Sequence, residues 1–378
     1  METPFMRMFS LILLLLIWNS NKGRCQTTEE IPTTSDGDDL LLLYNTDSDS
    51  QIPTGDDGFV GPITLARTFP YFGTSYNQTY IGLNGVITFT EGVGGYVSTP
   101  FPLSFALVSP YWADIDLSVS GAAYYREMPT RNANTEAEFA IVDKVLNECG
   151  RVMCQFQAEW LYVVSWVNVG YYGSSVGGSI VNSFQAILAT DGTQSAGIFY
   201  FEDLNWSGGT TNDANSSTGL GGIGAQVGFN QGDGVRYFYL PGSRVSNEVI
   251  NLDTLSNIEY QRLFAYRIDT DQIVEPDTHK LSDSYGNPVA EGQLCFDDST
   301  TARVICEVQG CFSTLPITWK MNGVDAPAMA TDVIDSSSLS TTSTLEFMFD
   351  ITYDGHTLTC YADEASMCEK DQICNCSR

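Results

Sequence analysis

The chain has 378 residues, of which 43% are hydrophobic and 12% aromatic, and its 46 acidic residues outnumber 17 basic ones to give a net charge of −29. This length predicts two or three domains, and the apolar content is far too high for a disordered acidic chain. The negative charge repels nucleic acid and anionic lipid, so neither is an expected partner.

The first 25 residues have the pattern of a secretory signal peptide. Arg7 provides a basic start, and residues 8–18 form an apolar run that is too short to cross a bilayer. The alternative for this run is a buried N-terminal helix. Removal of residues 1–25 takes away one acidic and three basic residues, so the net charge falls from −29 to −31. We therefore predict a secreted, extracellular protein that has no membrane span beyond the signal peptide.

Polar sequence and possible glycan sites fit an exported chain. Residues 26–39 are polar and have no periodicity, so they are predicted to be an acidic leader. Sequons of the form N-x-S/T begin at Asn77, Asn205 and Asn215, and they predict glycans on surface loops. A fourth sequon begins at Asn375, between two cysteines.

Residues 40–270 have the pattern of an all-β fold. Short aromatic and β-branched runs recur between Gly, Asn, Asp and Pro turns. Asn84-Gly85 predicts a hairpin, because both residues tolerate positive φ. The strand-like runs are 69–73, 79–89, 108–117, 122–127, 156–172, 182–192, 195–209, 221–234, 236–258 and 264–269.

Taken in order, these runs resemble the nidogen-type extracellular domain. The resemblance covers about residues 40–270 and includes FPYFG at 69–73 and the aromatic run at 160–172. It departs at residues 260–264, where family members usually have Gly-x-Trp and this chain has Tyr-Gln-Arg-Leu-Phe. The resemblance implies a non-catalytic β domain of matrix, mucin-like and adhesion proteins, and therefore a role in cell–matrix adhesion.

One helix and one small disulfide loop interrupt the β pattern. Apolar spacing over residues 136–146 predicts a short helix. Cys149 and Cys154 follow it, and we predict that they form a disulfide, because cysteines of secreted proteins usually pair. The sequence has no histidine nearby, which argues against a metal site there.

A second domain is predicted at residues 291–365, after a polar linker at 271–290. Cys306, Trp319 and Cys360 follow one another in strand-like runs, and this order resembles an immunoglobulin-like domain. The resemblance implies a smaller β-sandwich in which a Cys306–Cys360 disulfide packs on Trp319.

Other cysteines leave the disulfide connectivity open. The rival pairing joins Cys306 to Cys311, and the Cys-rich tail at 366–378 contributes three more cysteines. If Cys25 leaves with the signal peptide, an odd number remains, which suggests an intermolecular bond. Leu358 is a departure, since many immunoglobulin-like domains carry a tyrosine there.

Two patterns raise the question of catalysis. Residues 173–177 fit G-x-S-x-G, the pattern of a hydrolase nucleophile, but that pattern needs a strand–turn–helix context and a downstream histidine–acid pair. The chain has only His279 and His356. Asp114 and Asp116 could pair as glycosidase carboxylates. We predict neither activity, so the chain is expected to be no enzyme and to need no cofactor.

Calcium is the alternative use of the carboxylates. Asp114 and Asp116, at i and i+2 of a strand, share one face. A second acidic group comprises Asp47, Asp49, Asp56 and Asp57. Ca²⁺ takes several such oxygens, although the spacing of the second group does not fit an EF-hand loop and a solvated acidic loop explains it as well.

Two functional classes follow from these patterns. The first is a matrix or adhesion protein that binds extracellular-matrix or cell-surface proteins. The second is a soluble recognition or defence protein that binds a ligand through its immunoglobulin-like domain. The sequence contains no Arg-Gly-Asp tripeptide, so integrin binding through that tripeptide is excluded.

Overall fold

The structure is a computed structural model that describes residues 9–13, 41–149, 152–153, 156–258, 260–273, 278–282, 292–296, 301–309, 317–321, 324–326, 330–335, 340–348 and 358–362. The chain divides into two compact units. The larger unit comprises residues 29–275, and the smaller unit comprises residues 1–28 and 276–378. Among the residues described, no helix is long and apolar enough to cross a membrane.

The larger unit contains an antiparallel sheet of seven strands, and we call it the central sheet. Its strands are β2 (Ser50–Gln51), β7 (Ile115–Asp116), β8 (Ala122–Met128), β9 (Trp160–Tyr171), β10 (Asn182–Thr190), β11 (Ser195–Leu204) and β14 (Leu263–Arg267). Their order is β14-β11-β10-β9-β8-β2, with β7 paired to β9.

A second antiparallel sheet of six strands covers one face of the central sheet. Its strands are β3 (Phe59–Tyr71), β4 (Thr74–Gly82), β5 (Val86–Thr88), β6 (Leu107–Trp112), β12 (Gln226–Asn230) and β13 (Tyr237–Tyr239). Their order is β13-β12-β6-β5-β4-β3. One hydrophobic cluster joins side chains of both sheets and forms the main core.

Strand β9 shows why the central sheet is buried on both faces. Trp160, Tyr162 and Trp166 point into the main core, whereas Leu161 and Val163 belong to a second cluster on the opposite face. Because side chains alternate along a strand, an almost continuous apolar sequence supplies both cores. Strands of this kind require a cover on each face of the sheet.

The outer cover consists of one helix and the N-terminal segment. Helix α1 (Glu136–Lys144) buries Phe139, Ile141 and Val142, and a π-helical turn continues it over Val145–Cys149. Leu41 and Leu42 are buried in the same cluster. The short helix predicted at 136–146 is confirmed, while the side chain of Cys149 and all of Cys154 lie outside the described residues.

The described part of the smaller unit contains a four-stranded sheet, a three-stranded sheet and a separate pair of strands. The first has the order β15-β17-β21-β20 and the second β19-β18-β22, and a separate pair joins β1 to β16. These strands are β1 (Phe9–Leu13), β15 (Thr278–Ser282), β16 (Gly292–Phe296), β17 (Thr301–Gln309), β18 (Ile317–Met321), β19 (Val324–Asp325), β20 (Ala330–Asp335), β21 (Ser340–Met348) and β22 (Leu358–Ala362). Strand β1 lies within the run expected to be a signal peptide, and β15 lies within the span expected to be a linker.

A disulfide links the four-stranded sheet of the smaller unit to its three-stranded sheet. Cys306 on β17 is bonded to Cys360 on β22, with the two Cα atoms 6.5 Å apart. Trp319 is opposite Cys360 in the ladder, and its indole N–H donates to Ser343 Oγ on β21 at 2.8 Å. The bridge, the indole and this hydrogen bond therefore all stabilise the contact between the same two sheets.

Four short helical segments complete the described part of the larger unit. Helix α2 (Ser246–Val249) is followed by a 3-10 turn over Ile250–Asp253, and further 3-10 turns occupy Gly177–Ser179 and Thr210–Asn212. The turns at 210–212 and 246–253 lie in connections that lead the chain from one sheet to the other, whereas Gly177–Ser179 lies between β9 and β10 of the central sheet.

Candidate functional site

Several connections of the larger unit meet at one end of its two sheets, which we call the loop end. Strand β9 ends where β10 begins, because these strands are antiparallel neighbours. The same reasoning places the end of β11 and the start of β8 at this end. The turn between β4 and β5 lies there too, because Leu83 and Asn84 accept hydrogen bonds from Trp166 and Ile115. The loop-end segments are 52–59, 83–85, 92–98, 113–121, 172–181, 205–225 and 240–246. Segment 92–98 is included because its Gly94 and Ser98 accept hydrogen bonds from Asn84 and Arg244.

Asn84 holds three of these segments together. Its side-chain amide donates to Asp57 Oδ1 at 2.9 Å and to the carbonyl of Gly94 at 3.3 Å. Its amide oxygen accepts the backbone N–H of Ile115 at 2.8 Å. Asn84 is fully buried, so the residue that was predicted only as part of a tight turn also organises the site.

Gly85 completes the turn and does require its residue type. Its φ is +82°, and an added Cβ would lie 2.1 Å from the carbonyl oxygen of Tyr111. Asn84 itself is not among the residues with positive φ. The predicted hairpin is confirmed by the pairing of β4 with β5, but only Gly85 uses its tolerance of positive φ, and the contribution of Asn84 is its side chain.

Three carboxylates converge beside Asn84. One oxygen each of Asp56, Asp57 and Asp114 lies within 4.8 Å of the others. Asp114 is 1% exposed and accepts a hydrogen bond from Thr211 Oγ1, while the Oδ1 atom of Asp56 is buried without a hydrogen-bond donor. The site therefore brings Asp56 and Asp57 together with Asp114, which is almost 60 residues away in the sequence.

Burial dominates the electrostatics of this carboxylate group. It raises the pKa of Asp114 to about 6; the bond from Thr211 opposes the rise, and the charges of Asp56, Asp57 and Asp116 add to it. Burial also raises the pKa of Asp56, with smaller contributions from Asp116 and Asp57. A positive group here would relieve the repulsion among these carboxylates.

Asp116 and Asp49 make other contacts. Asp116 Oδ1 accepts the backbone N–H of Ser118 at 2.8 Å and its hydroxyl at 2.5 Å, so one of its oxygens serves its own turn. Asp49 forms an ion pair with Arg126 at 2.7 Å, because β2 pairs with the β8 edge that carries this arginine. The structure thus does not unite Asp49 with Asp56 and Asp57, so the four aspartates that were considered as one calcium ligand set do not form it.

The arrangement can accept a cation but contains no nucleophile–base pair. Carboxylate oxygens are hard donors of the kind that Ca²⁺ takes, and they also accept ammonium and guanidinium groups. The G-x-S-x-G motif forms a turn after β9, followed by a three-residue 3-10 turn in place of a long helix. Both histidines of the chain lie outside residues 29–275.

The candidate glycan sites of the larger unit lie on its surface. Asn77, Asn205 and Asn215 are all exposed. The Asn205 amide donates to the carbonyl of Val181 at 2.8 Å and to Asp203 at 2.7 Å. Glycosylation at these three sites stays a prediction, and the sequon at Asn375 lies outside the described residues.

Sequence comparison identifies the fold family. A family described as "Nidogen-like domain" matches residues 77–270. Human alpha-tectorin (Homo sapiens) is 34% identical over 265 residues, which are 68% of this chain and 12% of that protein. Nidogen of Drosophila melanogaster is 30% identical over 52% of this chain and 14% of its own length, and mouse mucin-4 (Mus musculus) is 29% identical over 44% and 5%.

The chain thus spans only a small part of each of these relatives. No solved structure matches it at a significant level. The family match covers the strands of both sheets of the larger unit from β5 to β14 and includes Asp114 with its neighbours. This chain therefore belongs to the nidogen-like domain family.

Proposed function

We propose that this protein is a secreted, non-catalytic component of the extracellular matrix or an adhesion protein, and that it mediates cell–matrix adhesion through protein–protein contacts. The observation that carries the proposal is the family match over residues 77–270. The nidogen-type resemblance implies matrix and adhesion proteins, so the partners are matrix or cell-surface proteins.

Features that do not depend on the family match support export. Residues 1–25 have the signal-peptide pattern, and the remainder carries a net charge of −31, which favours solubility. The exposed sequons at Asn77, Asn205 and Asn215 suit a glycoprotein. The disulfide between Cys306 and Cys360 belongs to an oxidising compartment, as would a second one between Cys149 and Cys154.

The absence of a catalytic grouping in the described part of the larger unit supports a binding role. Residues 173–177 lie in an exposed connection, and no histidine occurs in residues 29–275. Binding proteins commonly use such loop clusters on a rigid β scaffold. The loop end offers this arrangement.

We also propose that residues 291–365 belong to an immunoglobulin-like sandwich. The strand order β17-β21-β20 beside β19-β18-β22 corresponds to B-E-D beside C′-C-F in that fold, and β15 (Thr278–Ser282), which precedes residue 291, pairs with β17 in the position of strand A. The disulfide joins the strands equivalent to B and F, with a tryptophan on C. The alternative function rests on this unit: a soluble recognition protein would bind its ligand there.

The test is the destination of the full chain after export from animal cells. Secreted material is sequenced from its N-terminus, and the expected start is near residues 24–26. The culture is then separated into medium and detergent-insoluble matrix, with a secreted protein of similar charge as the control. Enrichment in matrix, followed by identification of proteins crosslinked to the chain, supports the adhesive function. Recovery only from the medium would favour the recognition protein, and retention of Met1 inside cells would refute export.

A further inference from the structure

We propose that the loop end of the larger unit docks a protein segment that presents a lysine or arginine between apolar side chains. This proposal rests on the adhesive function proposed above and names the chemistry of its partner. Two observations combine in it: exposed apolar side chains are concentrated at the loop end, and a carboxylate group lies among them.

The apolar side chains are unevenly distributed over the larger unit. Among the described residues 41–273, eleven large apolar side chains are exposed, and eight of them lie on loop-end segments. Single exposed apolar residues are ordinary, whereas a concentration of them marks an interaction site. The eight are Phe59, Tyr96, Val97, Tyr172, Val176, Leu220, Ile223 and Val245.

Hydrogen bonds connect the segments that carry these residues on one side of the carboxylates. The backbone N–H of Tyr172 donates to the carbonyl of Asp114 at 3.0 Å, and Thr211 donates to the Asp114 carboxylate. The next residue, Asn212, accepts the N–H of Ile223 at 2.9 Å. Ile223 in turn forms an isolated β-bridge with Val245.

Further hydrogen bonds connect the loop-end segments on the other side of the carboxylates. Arg244, next to Val245, donates to the carbonyl of Ser98 at 2.6 Å, which fixes the segment bearing Tyr96 and Val97. That segment reaches Asn84 through Gly94, and Asn84 bonds Asp57. The ring of phenylalanine 59 lies against the same segment, since an added Cβ on Gly92 would meet it at 2.2 Å. The apolar side chains thus lie on one connected set of segments around the carboxylates.

Charge selects the chemistry of the partner. Asp57 is exposed and Asp114 is buried beside it, so the group presents negative charge from within the surface. Arg244, the cationic residue of the loop-end segments, already donates hydrogen bonds to Ser98 and Gln226. An incoming lysine or arginine would form charge-assisted hydrogen bonds with these carboxylates.

A protein segment fits this surface better than a free ion does. A bare cation would contact the carboxylates and leave the surrounding apolar side chains in water. A segment with apolar residues on both sides of its charge would cover them too, and aromatic residues around a desolvated centre are characteristic of interface hot spots. The partner is therefore a protein loop or extended segment of the type apolar–basic–apolar.

The experiment selects phage-displayed heptapeptides on the full secreted chain. We expect enriched peptides to contain Lys or Arg next to large apolar residues. Tyr172→Ser and Asp57→Asn should each weaken binding of the enriched peptides by about tenfold or more if they contact hot-spot residues. The matched controls Val235→Ser and Asp47→Asn, which change exposed residues outside the loop end, should leave binding unchanged.

Three outcomes would overturn the proposal. Enrichment without basic residues would contradict the charge argument, and equal binding to the loop-end variants and the controls would place the site elsewhere. Binding that EDTA abolishes would show that the carboxylates hold calcium instead. Matrix fractionation of the same variants separates the two proposals. If wild type is recovered in the matrix but no peptide is selected at the loop end, only the docking site is refuted. If wild type is absent from the matrix, the adhesive function is refuted.

Discussion

The two units of this chain solve the same problem, two sheets packed face to face, by different means. The larger unit fills the space between its two sheets with aromatic side chains, including the fully buried Trp160, Trp166 and Trp206. No cysteine is among the described residues of this main core. The smaller unit joins its sheets through Cys306 and Cys360. A small domain buries a smaller fraction of its surface, so a covalent bond contributes more where the core is limited.

The sequences of the strands reflect this difference. In β18 of the smaller unit, buried and partly exposed residues alternate, as expected for a sheet with one covered face. Strand β9 of the larger unit is buried at all but one position because both of its faces are covered. An apolar run without alternation therefore marks a central layer, and an alternating run marks an outer layer.

The largest effect is expected in the aromatic core. Trp166 stacks on Phe184 with ring centroids 5.1 Å apart and donates to the carbonyl of Leu83 at 3.2 Å. Trp166→Ala should lower the free energy of unfolding of the larger unit by about 3–5 kcal/mol, measured by hydrogen exchange with mass spectrometry in urea. Trp166→Phe, the control, should cost less. Equal loss of protection in the smaller unit would show that the two units unfold together.

The disulfide is the corresponding test of the smaller unit. The double variant Cys306→Ala and Cys360→Ala should lower its free energy of unfolding by about 2–5 kcal/mol. The effect should appear in exchange of β17 and β22 while the larger unit stays protected. Reduction of the unmodified chain is the control and should give a loss of the same sign. Recovery of a Cys306–Cys311 peptide under non-reducing conditions would contradict the pairing.

Local patterns in the sequence predicted much of the fold, and contacts between distant residues limited the prediction. The strand runs around Trp160 and Phe184 and the helix near residue 139 depend on periodicity, which is a local property. The meeting of Asp57 with Asp114 depends on Asn84, whose side chain bonds two distant segments. Nothing in an Asn-Gly pair distinguishes a turn residue from a buried hydrogen-bonding centre, so the pattern revealed the turn but not the site.

The buried carboxylate of Asp114 tests how much unfavourable charge the larger unit tolerates. The pKa of Asp114 is raised to about 6 from 3.8, so the folded state holds this proton more tightly than the unfolded state. Its contribution to stability is therefore present below pH 3.8 and is lost as the pH rises through about 6. Asp114→Asn should remove this loss and raise the free energy of unfolding at pH 7 by at most about 2–3 kcal/mol.

Urea unfolding of both proteins between pH 4 and pH 7 measures this effect. The difference between Asp114→Asn and wild type should grow with pH and level off above the pKa. Asp47→Asn, the exposed control, should give no such trend. A constant difference across this range would show that the carboxylate of Asp114 titrates normally and that another property of the variant is responsible.

The smallest effect concerns the outer cover, where hydrogen bonds of Gln185 add to the apolar contacts of Leu41 and Leu42. The side chain of Gln185 is fully buried; it donates to the carbonyl of Leu42 at 2.7 Å and accepts the N–H of Leu42 at 3.0 Å. Gln185→Leu leaves both backbone groups without this partner, and a lost pair of this kind costs about 1–3 kcal/mol. The added leucine is apolar, and the affected segment lies near the start of the larger unit. We therefore expect the loss in free energy of unfolding to be near the lower limit and confined to the outer cover. Hydrogen exchange should accelerate in residues 41–49 and stay unchanged in β10 and β11, whereas the exposed control Gln51→Leu should alter neither. Unchanged exchange of residues 41–49 in Gln185→Leu would mean that the apolar contacts of Leu41 and Leu42 hold the cover by themselves.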